Sequence, residues 1–366
     1  MGVWRSREAA PPAAAPGITP SVLALHGLDP VLFSDATKLA SVPPGDPPSL
    51  PVVYRAEYNV RFLGLEKLHP FDSCKYAKVL RRLQDAGCVS SETYRPGRAS
   101  RAYLEDVHSG SYLDSLRSSW TVARVTELAP LCILPGALTS RYLLRNMQFQ
   151  VSGTLLACAL ALASPSRLAV NLGGGMHHAH GLDGGGWCVY ADIMLAVRAL
   201  RRSLGGRLRV MVVDTDAHQG NGVERDVARL GEADTWVLDV YNRNNYPRDV
   251  GAKRGIGTDV PLRPYTSDEE YLERLGRALA EATEEFGTPD LVVHNAGTDV
   301  LSTDPLGHLR VSADGILKRD AAVVDFFLGR GVPVAHLLSG GYAPESAQVI
   351  ADSLINIHRR ICPSPT

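Results

Sequence analysis

The stretch that decides the fold is 208–222, which reads L-R-V-M-V-V-D-T-D-A-H-Q-G-N-G. Its first six residues are mostly apolar, and three groups that can bind a metal follow directly, namely Asp214, Asp216 and His218. A strand that is apolar throughout is typical of a parallel sheet covered on both faces, where the functional site lies beyond the carboxyl ends of the strands. The stretch therefore predicts an α/β protein with its chemistry at the end of this strand.

Four other short apolar runs repeat the pattern, at 168–172, 236–240, 291–294 and 334–338. Helical patterns separate them, for example at 192–204, 268–286 and 314–328. Strands that alternate with helices predict a central parallel sheet flanked by helices on both faces. No linker or composition break divides 52–360, so we expect a single catalytic domain, preceded by an extension (1–51) and followed by a short C-terminal tail (361–366).

Composition limits the function classes. The chain has 366 residues, of which 45% are hydrophobic, and a formal net charge of −1 without a long basic run. This balance argues against direct binding of nucleic acid through phosphates. The six cysteines lack the paired spacing of zinc knuckles and are typical of buried side chains in a reducing compartment. The most apolar run, 155–163, is too short to cross a bilayer, so no transmembrane segment is expected.

The extension 1–51 is rich in Ala and Pro and poor in charge, which predicts a flexible segment without its own core. Two targeting interpretations stay open beside this one. The start M-G-V-W-R-S fits the motif for myristoylation of Gly2, and an acid-poor start with Arg and Ala fits an organelle transit peptide.

The other strand ends also carry polar groups. His177 and His178 follow 168–172 within G-G-G-M-H-H, Asp299 and Asp304 follow 291–294, and Tyr342 follows 334–338. Because the carboxyl ends of parallel strands meet at one edge of a sheet, we expect these side chains to share one rim. Chance placement would scatter them over both ends of the sheet.

Asp216 and His218 are two residues apart, so in an extended segment both point to one side and can bind one ion. Asp299 from a neighbouring loop would complete a set of two carboxylates and one imidazole. Three protein ligands leave a coordination position open for water, as in catalytic metal sites, and the chemistry that follows is hydrolysis. Calcium binding, or capping of the following helix by the carboxylates, is the alternative for this motif alone.

The paired histidines suit the proton transfers of hydrolysis, with His177 as general base and His178 as general acid. The glycines before them let the backbone turn tightly enough to aim both rings at one water. Tyr342, on a glycine-rich turn, can donate its hydroxyl to a developing oxyanion. Taken singly, the histidine pair would more often be structural and the tyrosine a packed aromatic.

Four of these motifs in order resemble the zinc-dependent histone deacetylases, which have the arginase/deacetylase fold: G-G-M-H-H-A, V-D-T-D-A-H-Q-G-N-G, N-A-G-T-D-V-L-S-T-D-P-L-G and L-S-G-G-Y. The upstream stretch Y-N-V-R-F-L-G-L-E-K-L-H-P-F-D resembles the class IV branch of that family. The resemblance spans roughly 52–358 and leaves the extension outside.

The resemblance implies a zinc ion (Zn2+) held by Asp216, His218 and Asp299, and a structural potassium ion (K+) in the segment of Asp214. It implies that Asp214 supports His177, that His177 and His178 are the paired catalytic histidines, and that Tyr342 stabilises the transition state. Gly186, Trp187 and Tyr246 are expected to line the tunnel for the acylated lysine, although both aromatics also fit an ordinary core. Asn221 and Asp304 are expected to support the catalytic residues without contacting the substrate or the metal ion themselves.

Asn221 departs from the family pattern, because many members carry Asp at this position and use it to support the second histidine. An amide accepts a hydrogen bond but cannot hold an imidazolium by charge, so we expect His178 to be less readily protonated here. The class IV branch is similar at this point. The departure leaves open whether acetyl or longer fatty acyl groups are the better substrates.

The expected activity is hydrolysis of acylated lysine in histones or other proteins, contributing to chromatin and transcription regulation. A nuclear location, with cytoplasm as an alternative, and corepressor partners follow from the resemblance. Two other functions stay open. One is a deacetylase of small amides such as acetylpolyamines, and the other is a metal-stabilised corepressor scaffold with weak catalysis.

Overall fold

A computed structural model of the chain describes residues 49–62, 64–89, 93–206 and 208–362. Within them lies one seven-stranded sheet in which every pair of strands is parallel, as the sequence predicts. The strands are β1 (Val52–Val53), β2 (Leu168–Asn171), β3 (Val210–Asp214), β4 (Thr235–Asn242), β5 (Thr258–Leu262), β6 (Leu291–Asn295) and β7 (Val334–Leu337). Their order across the sheet is β1-β2-β7-β6-β3-β4-β5.

All five predicted strands are confirmed, and the two that the sequence pattern missed lie at the edges. β1 has only two residues, and β5 reads T-D-V-P-L, with polar residues and Pro261 interrupting the apolar run. An edge strand pairs on one side only, so it tolerates a proline and needs no continuous apolar sequence. Edge strands therefore give the weakest signal in the sequence.

The α-helices are α1 (Lys75–Asp85), α2 (Arg101–Leu104), α3 (Gly110–Ser115), α4 (Ser119–Val125), α5 (Gly136–Thr139), α6 (Arg145–Ala163), α7 (Asp192–Ser203), α8 (Asn221–Leu230), α9 (Asp268–Phe286), α10 (Ala313–Leu328) and α11 (Ser346–Ile361). Helices α6, α7 and α8 pack in one layer, and α1, α9, α10 and α11 pack in the other. The sheet lies between the layers, which confirms the predicted architecture. In the described part of the chain, none of the helices combines the length and apolar character that a membrane span requires.

The four strands that were expected to carry the site are adjacent, in the order β2-β7-β6-β3. Their last residues also lie level with one another. Asn171 of β2 is paired with Leu337 of β7, Leu337 with Asn295 of β6, and Asn295 with Asp214 of β3. The four loops that follow therefore leave the sheet at the same height, which brings distant parts of the sequence together.

The ends of the chain bear on the predicted domain limits. Residues 1–48, including the predicted myristoylation and transit motifs, lie outside the described residues, as do 363–366. Leu50 belongs to the core, however, because it is buried and its N–H donates to the carbonyl of Cys88 at 3.0 Å. Within the described residues, packing therefore reaches Leu50, two residues before the predicted boundary at 52. At the other end, Ile361 closes the last helix.

A buried histidine pair lies in the middle of the sheet. His294 of β6 and His336 of β7 are register partners whose ring centroids are 4.9 Å apart. Burial lowers the pKa of His336 to about 4, and burial together with His336 holds the pKa of His294 well below its ordinary value. Both rings are therefore neutral in the folded protein at physiological pH.

We predict that His336→Leu makes the free energy of unfolding less dependent on pH. The pKa of His336 in the folded protein lies below its value in the unfolded chain. The folded protein therefore has its full stability above about pH 6.5, where the ring is neutral in both states, and it loses stability as the pH falls from there toward 4. Between pH 7 and pH 5 the wild type should lose about 2 kcal/mol more stability than the variant in urea denaturation. Equal losses would contradict the assigned pKa.

Candidate active site

Three predicted metal ligands meet at the carboxyl edge of the sheet. The ligand atoms of Asp216, His218 and Asp299 all lie within 4.8 Å of one another, and all three residues are buried. The Nδ1 atom of His218 is 3.1 Å from Oδ1 of Asp216 and 2.9 Å from Oδ2 of Asp299. Two carboxylate oxygens and one imidazole nitrogen at these separations fit a divalent ion such as zinc.

Backbone groups and a hydroxyl hold the two carboxylates in place. The N–H of Ala217 donates to Oδ1 of Asp299 at 2.8 Å. Oδ2 of Asp216 accepts hydrogen bonds from the Ser339 hydroxyl and the Gly340 N–H, both at 3.0 Å. The ligands therefore come from two strand ends, those of β3 and β6, and the loop after β7 supplies the Ser339 and Gly340 donors that help to fix them.

The cluster concentrates negative charge in a buried place, and this charge attracts cations. Burial lowers the pKa of His218, but hydrogen bonds and charge from Asp216 and Asp299 outweigh burial and hold the pKa well above its ordinary value. Burial and the nearby Asp216 charge raise the pKa of Asp299 to about 7. The two carboxylates therefore stabilise a positive charge placed between them. A site that binds a metal ion must have this property.

His177 and His178 lie beside this cluster, and each ring is anchored through Nδ1. Nδ1 of His177 is 2.8 Å from Oδ2 of Asp214, and Nδ1 of His178 is 2.8 Å from Oδ1 of Asn221. The two Nε2 atoms are 3.1 Å apart. Because both Nδ1 atoms face acceptors, the Nε2 atoms are the ring nitrogens left for proton transfer.

The two rings differ in charge, and the difference bears on the roles expected from the sequence. Burial lowers the pKa of His177, but Asp214 and Asp216 outweigh it and raise the pKa to about 9. Burial, with the neighbouring His177 and His218, holds the pKa of His178 well below its ordinary value. The lowering comes mainly from burial, and the Asn221 hydrogen bond acts against it, so the expected effect of an amide in place of a carboxylate stays a prediction. Of the two rings, His177 therefore holds a proton more readily, whereas the sequence assigned it the role of base.

Glycines set the turn that precedes the pair. Gly174 and Gly175 have φ values of 74° and 79°, a region that favours glycine. A Cβ atom on Gly175 would lie 2.3 Å from Oδ1 of Asn295, so no larger residue fits. Asp192 at the start of α7 stabilises this turn, because its carboxylate accepts the N–H groups of Gly175 and Met176, each at 2.8 Å.

Tyr342 also lines the pocket, on the turn after β7. The backbone N–H groups of Tyr342 and Ala343 donate to Oδ2 of Asp304 at 2.7 and 3.1 Å, so Asp304 holds the turn as a supporting residue. Burial, together with Asp299 and Asp216, holds the pKa of Tyr342 well above its ordinary value. The hydroxyl therefore keeps its proton and can act as a hydrogen-bond donor.

The sequence did not identify Lys75, which is buried beside the site, as a supporting residue. Its Nζ donates to the carbonyls of Ser339 and Gly340 at 2.7 and 2.9 Å, and burial lowers its pKa to about 8. It braces the same turn that carries Tyr342. No short motif indicates this contact, because Lys75 is on α1, more than 260 residues away along the chain.

Aromatic rings line the way into the site. Gly186 and Trp187 border the pocket, together with Phe71, whose ring centroid is 5.8 Å from that of Trp187 and 6.0 Å from that of Tyr342. A Cβ atom on Gly186 would lie 2.6 Å from Cδ2 of His178, so glycine gives the ring its room. Phe71 was missed as a wall residue, although it belongs to the L-H-P-F-D stretch.

Tyr246 occupies a more peripheral position than Trp187. Its ring is 5.1 Å from the His178 ring, edge to face, and 48% of the residue is exposed. The exposure rules out the alternative that Tyr246 is an ordinary core residue. It lies next to one of the paired histidines but is not among the residues that line the pocket, so its expected place in the tunnel wall stays a prediction.

Comparison with known proteins agrees with this geometry. A family model described as "Histone deacetylase domain" matches residues 69–358. Histone deacetylase 2 of Arabidopsis thaliana is 44% identical over 313 residues, which cover 84% of this chain and 79% of that protein.

Two solved structures share the fold. The crystal structure of the HDA15 HD domain has a TM-score of 0.69 and 19% identity, over 87% of this chain and 91% of that one. An acetylpolyamine aminohydrolase from Burkholderia pseudomallei has a TM-score of 0.66 and 20% identity, over 86% of this chain and 99% of that one. At these identities the likeness concerns the fold alone.

We predict that metal affinity falls steeply as the pH is lowered. A metal ion needs the free Nδ1 lone pair of His218, and the raised pKa of this ring makes protons compete for it. Between pH 8 and pH 6, chelator-competition titrations should show zinc affinity falling by up to about 100-fold, as expected for one displaced proton.

The control is His218→Asn, whose amide does not titrate. Its zinc affinity should be weaker at both pH values and should change less between them. An affinity of the wild type that does not vary with pH would contradict the assigned role of His218.

Proposed function

The chain belongs to the histone deacetylase family and is a hydrolase of the deacetylase type, and on this premise we propose that it removes acyl groups from lysine side chains with a bound zinc ion. One observation carries the proposal. Asp216 of the Asp216–His218–Asp299 cluster lines the same pocket as the His177–His178 pair, and aromatic rings form part of its wall. Zinc, when bound by the cluster, supplies a Lewis acid that polarises the amide carbonyl and lowers the pKa of water.

We assign the proton transfers to the histidine pair. Hydrolysis breaks the C–N bond of the amide, adds the hydroxyl of water to the acyl carbon and delivers a proton to the lysine nitrogen. With both Nδ1 atoms anchored, the Nε2 atoms of His177 and His178 accept the proton of the water and return one to the leaving amine. The short distance between them lets a proton pass from ring to ring.

Tyr342 stabilises the negative charge that develops on the former carbonyl oxygen. Its high pKa keeps the hydroxyl protonated, and a hydrogen bond from it to the former carbonyl oxygen strengthens as charge develops there. Asp304 and Lys75 act on the reaction only through the turn that carries this tyrosine. Both are therefore positioning residues.

The substrate class follows from the walls of the pocket. Phe71 and Trp187 offer apolar surfaces that suit the methylene chain of a lysine, and Tyr76, Met147 and Cys188 also line the pocket. These residues support binding of an apolar acyl group. Such contacts discriminate weakly by length, so we include both acetyl and longer acyl groups.

A potassium ion near Asp214 is a second part of the proposal. Asp239 and Glu224 are fully buried, and Asp239 Oδ1 and Glu224 Oε1 have no hydrogen-bond partner in the described part of the chain. Burial and the neighbouring carboxylates raise the pKa of both groups, that of Glu224 to about 7. A monovalent cation would relieve this concentration of carboxylates.

For the biological role we propose protein substrates, histones among them, in the nucleus. The support is family membership and the printed name of the Arabidopsis relative. Corepressor partners and placement in the class IV branch belong to the same proposal. The small-amide and scaffold functions become its competitors in the assay below.

We predict that the zinc-loaded protein hydrolyses acetyl-lysine or myristoyl-lysine peptides and that the double variant His177→Ala, His178→Ala loses at least about 100-fold in kcat, because it lacks both proton-transfer groups. His308→Ala, which changes an exposed histidine, is the matched control and should keep wild-type activity. The measurement is product release from matched peptides by mass spectrometry.

The ratio of acetyl to myristoyl turnover identifies the preferred acyl group. If the wild type and the double variant are equally inert on both peptides, acylated lysine is not the substrate. Turnover of acetylpolyamines by the same preparation would then favour the small-amide function, and inactivity on all substrates would favour the scaffold.

A further inference from the structure

Asn221 lies between His178 and a carboxylate that the sequence analysis did not identify, that of Asp249. Its Oδ1 is 2.8 Å from Nδ1 of His178, and its Nδ2 donates to Oδ2 of Asp249 at 3.4 Å. A primary amide has one accepting end and one donating end. The direction in which Asn221 points therefore decides which kind of partner His178 meets.

Asp249 is tied down from several sides. Gln219 clamps its backbone, with Nε2 donating to the Asp249 carbonyl at 2.9 Å and Oε1 accepting from its N–H at 2.8 Å. The N–H of Ala252 donates to Oδ1 at 3.1 Å. These contacts leave Oδ2 facing Asn221.

The charge of Asp249 is fixed as well. Nε of Arg225 donates to the same Oδ2 at 2.6 Å. Burial raises the pKa of Asp249, but Arg225, the Ala252 N–H and Asn221 outweigh it and lower the pKa below its ordinary value. At neutral pH Oδ2 is therefore an acceptor only, and it can be satisfied by the NH2 end of Asn221 but not by the oxygen end.

The orientation has a chemical consequence at His178. When the Asn221 oxygen faces Nδ1, that nitrogen carries the proton and the neutral ring keeps a lone pair on Nε2. When the amide is reversed, its NH2 group faces Nδ1, so the ring must carry its proton on Nε2 instead. The reversed ring has no acceptor directed toward His177 and the pocket.

We propose that Asp249 is a positioning residue that acts through Asn221 to hold His178 in the tautomer with an accepting Nε2. The inference rests on the proposed hydrolase function, in which this nitrogen receives a proton. A carboxylate at position 221 would present an acceptor to His178 from either oxygen, so it would need no orienting partner. An amide accepts only through its oxygen, so it needs a partner that fixes its orientation.

The kinetic test uses that difference. In the zinc-loaded wild type, Asp249→Ala should lower kcat by about tenfold, the worth of one hydrogen bond, with little change in KM. In the Asn221→Asp background the same substitution should cost far less, because a carboxylate cannot point the wrong way. An equal loss in both backgrounds would mean that Asp249 only packs its loop, and would overturn the proposal.

The second readout does not depend on activity. In protein labelled with 15N-histidine, the wild type should show the His178 ring protonated on Nδ1, and Asp249→Ala should show a mixture of tautomers; a His178→Ala spectrum assigns the signal. An unchanged tautomer in Asp249→Ala would overturn the proposal. If the wild type hydrolyses no peptide but the tautomer shifts as expected, the proposed function fails while the orienting role stands.

Thermal melting followed by circular dichroism checks that the variants are folded. If Asp249→Ala is unfolded, Asp249→Asn replaces it in both tests. This side chain keeps the size needed by the loop and can present either end to Asn221, so it no longer enforces one orientation. The same pattern of kinetic loss and mixed tautomers is expected, and its absence would again count against the proposal.

Discussion

Buried negative charge is the constraint on which the rest of the site depends. Asp214, Asp216 and Asp299 are each at most 1% exposed, and carboxylates removed from water must be neutralised or hydrogen-bonded. Backbone N–H groups, the Ser339 hydroxyl and imidazole rings surround the three carboxylates and form hydrogen bonds with them. A metal ion bound by Asp216, His218 and Asp299, as proposed, would complete the compensation.

The same constraint accounts for the glycines around the cluster. Cβ atoms at Gly297 and Gly340 would lie 2.2 and 2.5 Å from Oδ2 of Asp216, so the backbone approaches the carboxylate where a side chain would exclude it. The level ends of the four central strands make this approach possible from three loops at once. The position of the ligands is therefore a property of the sheet register as much as of the motifs.

The sequence was sufficient where chemistry and fold share one short segment. The strand that ends in Asp214 indicated both the sheet and two of the proposed metal ligands, Asp216 and His218, because the apolar run and the polar residues after it form one continuous segment. It was insufficient where a contact joins distant elements. Nothing near Lys75 points to the turn of Tyr342, and Asp249 reaches Asn221 across a loop whose path only the fold determines. The charge state of the histidine pair also needed the structure, since it depends on the Asp214 and Asp216 carboxylates that surround His177.

The central claim is that one catalytic metal ion sits at the junction of three strand ends, beside the paired histidines. The most direct measurement is anomalous diffraction at the zinc absorption edge from crystals of the purified full-length protein. The account predicts one strong peak within coordination distance of Asp216, His218 and Asp299. A stoichiometric zinc peak elsewhere in the protein, with none at this cluster, would contradict it.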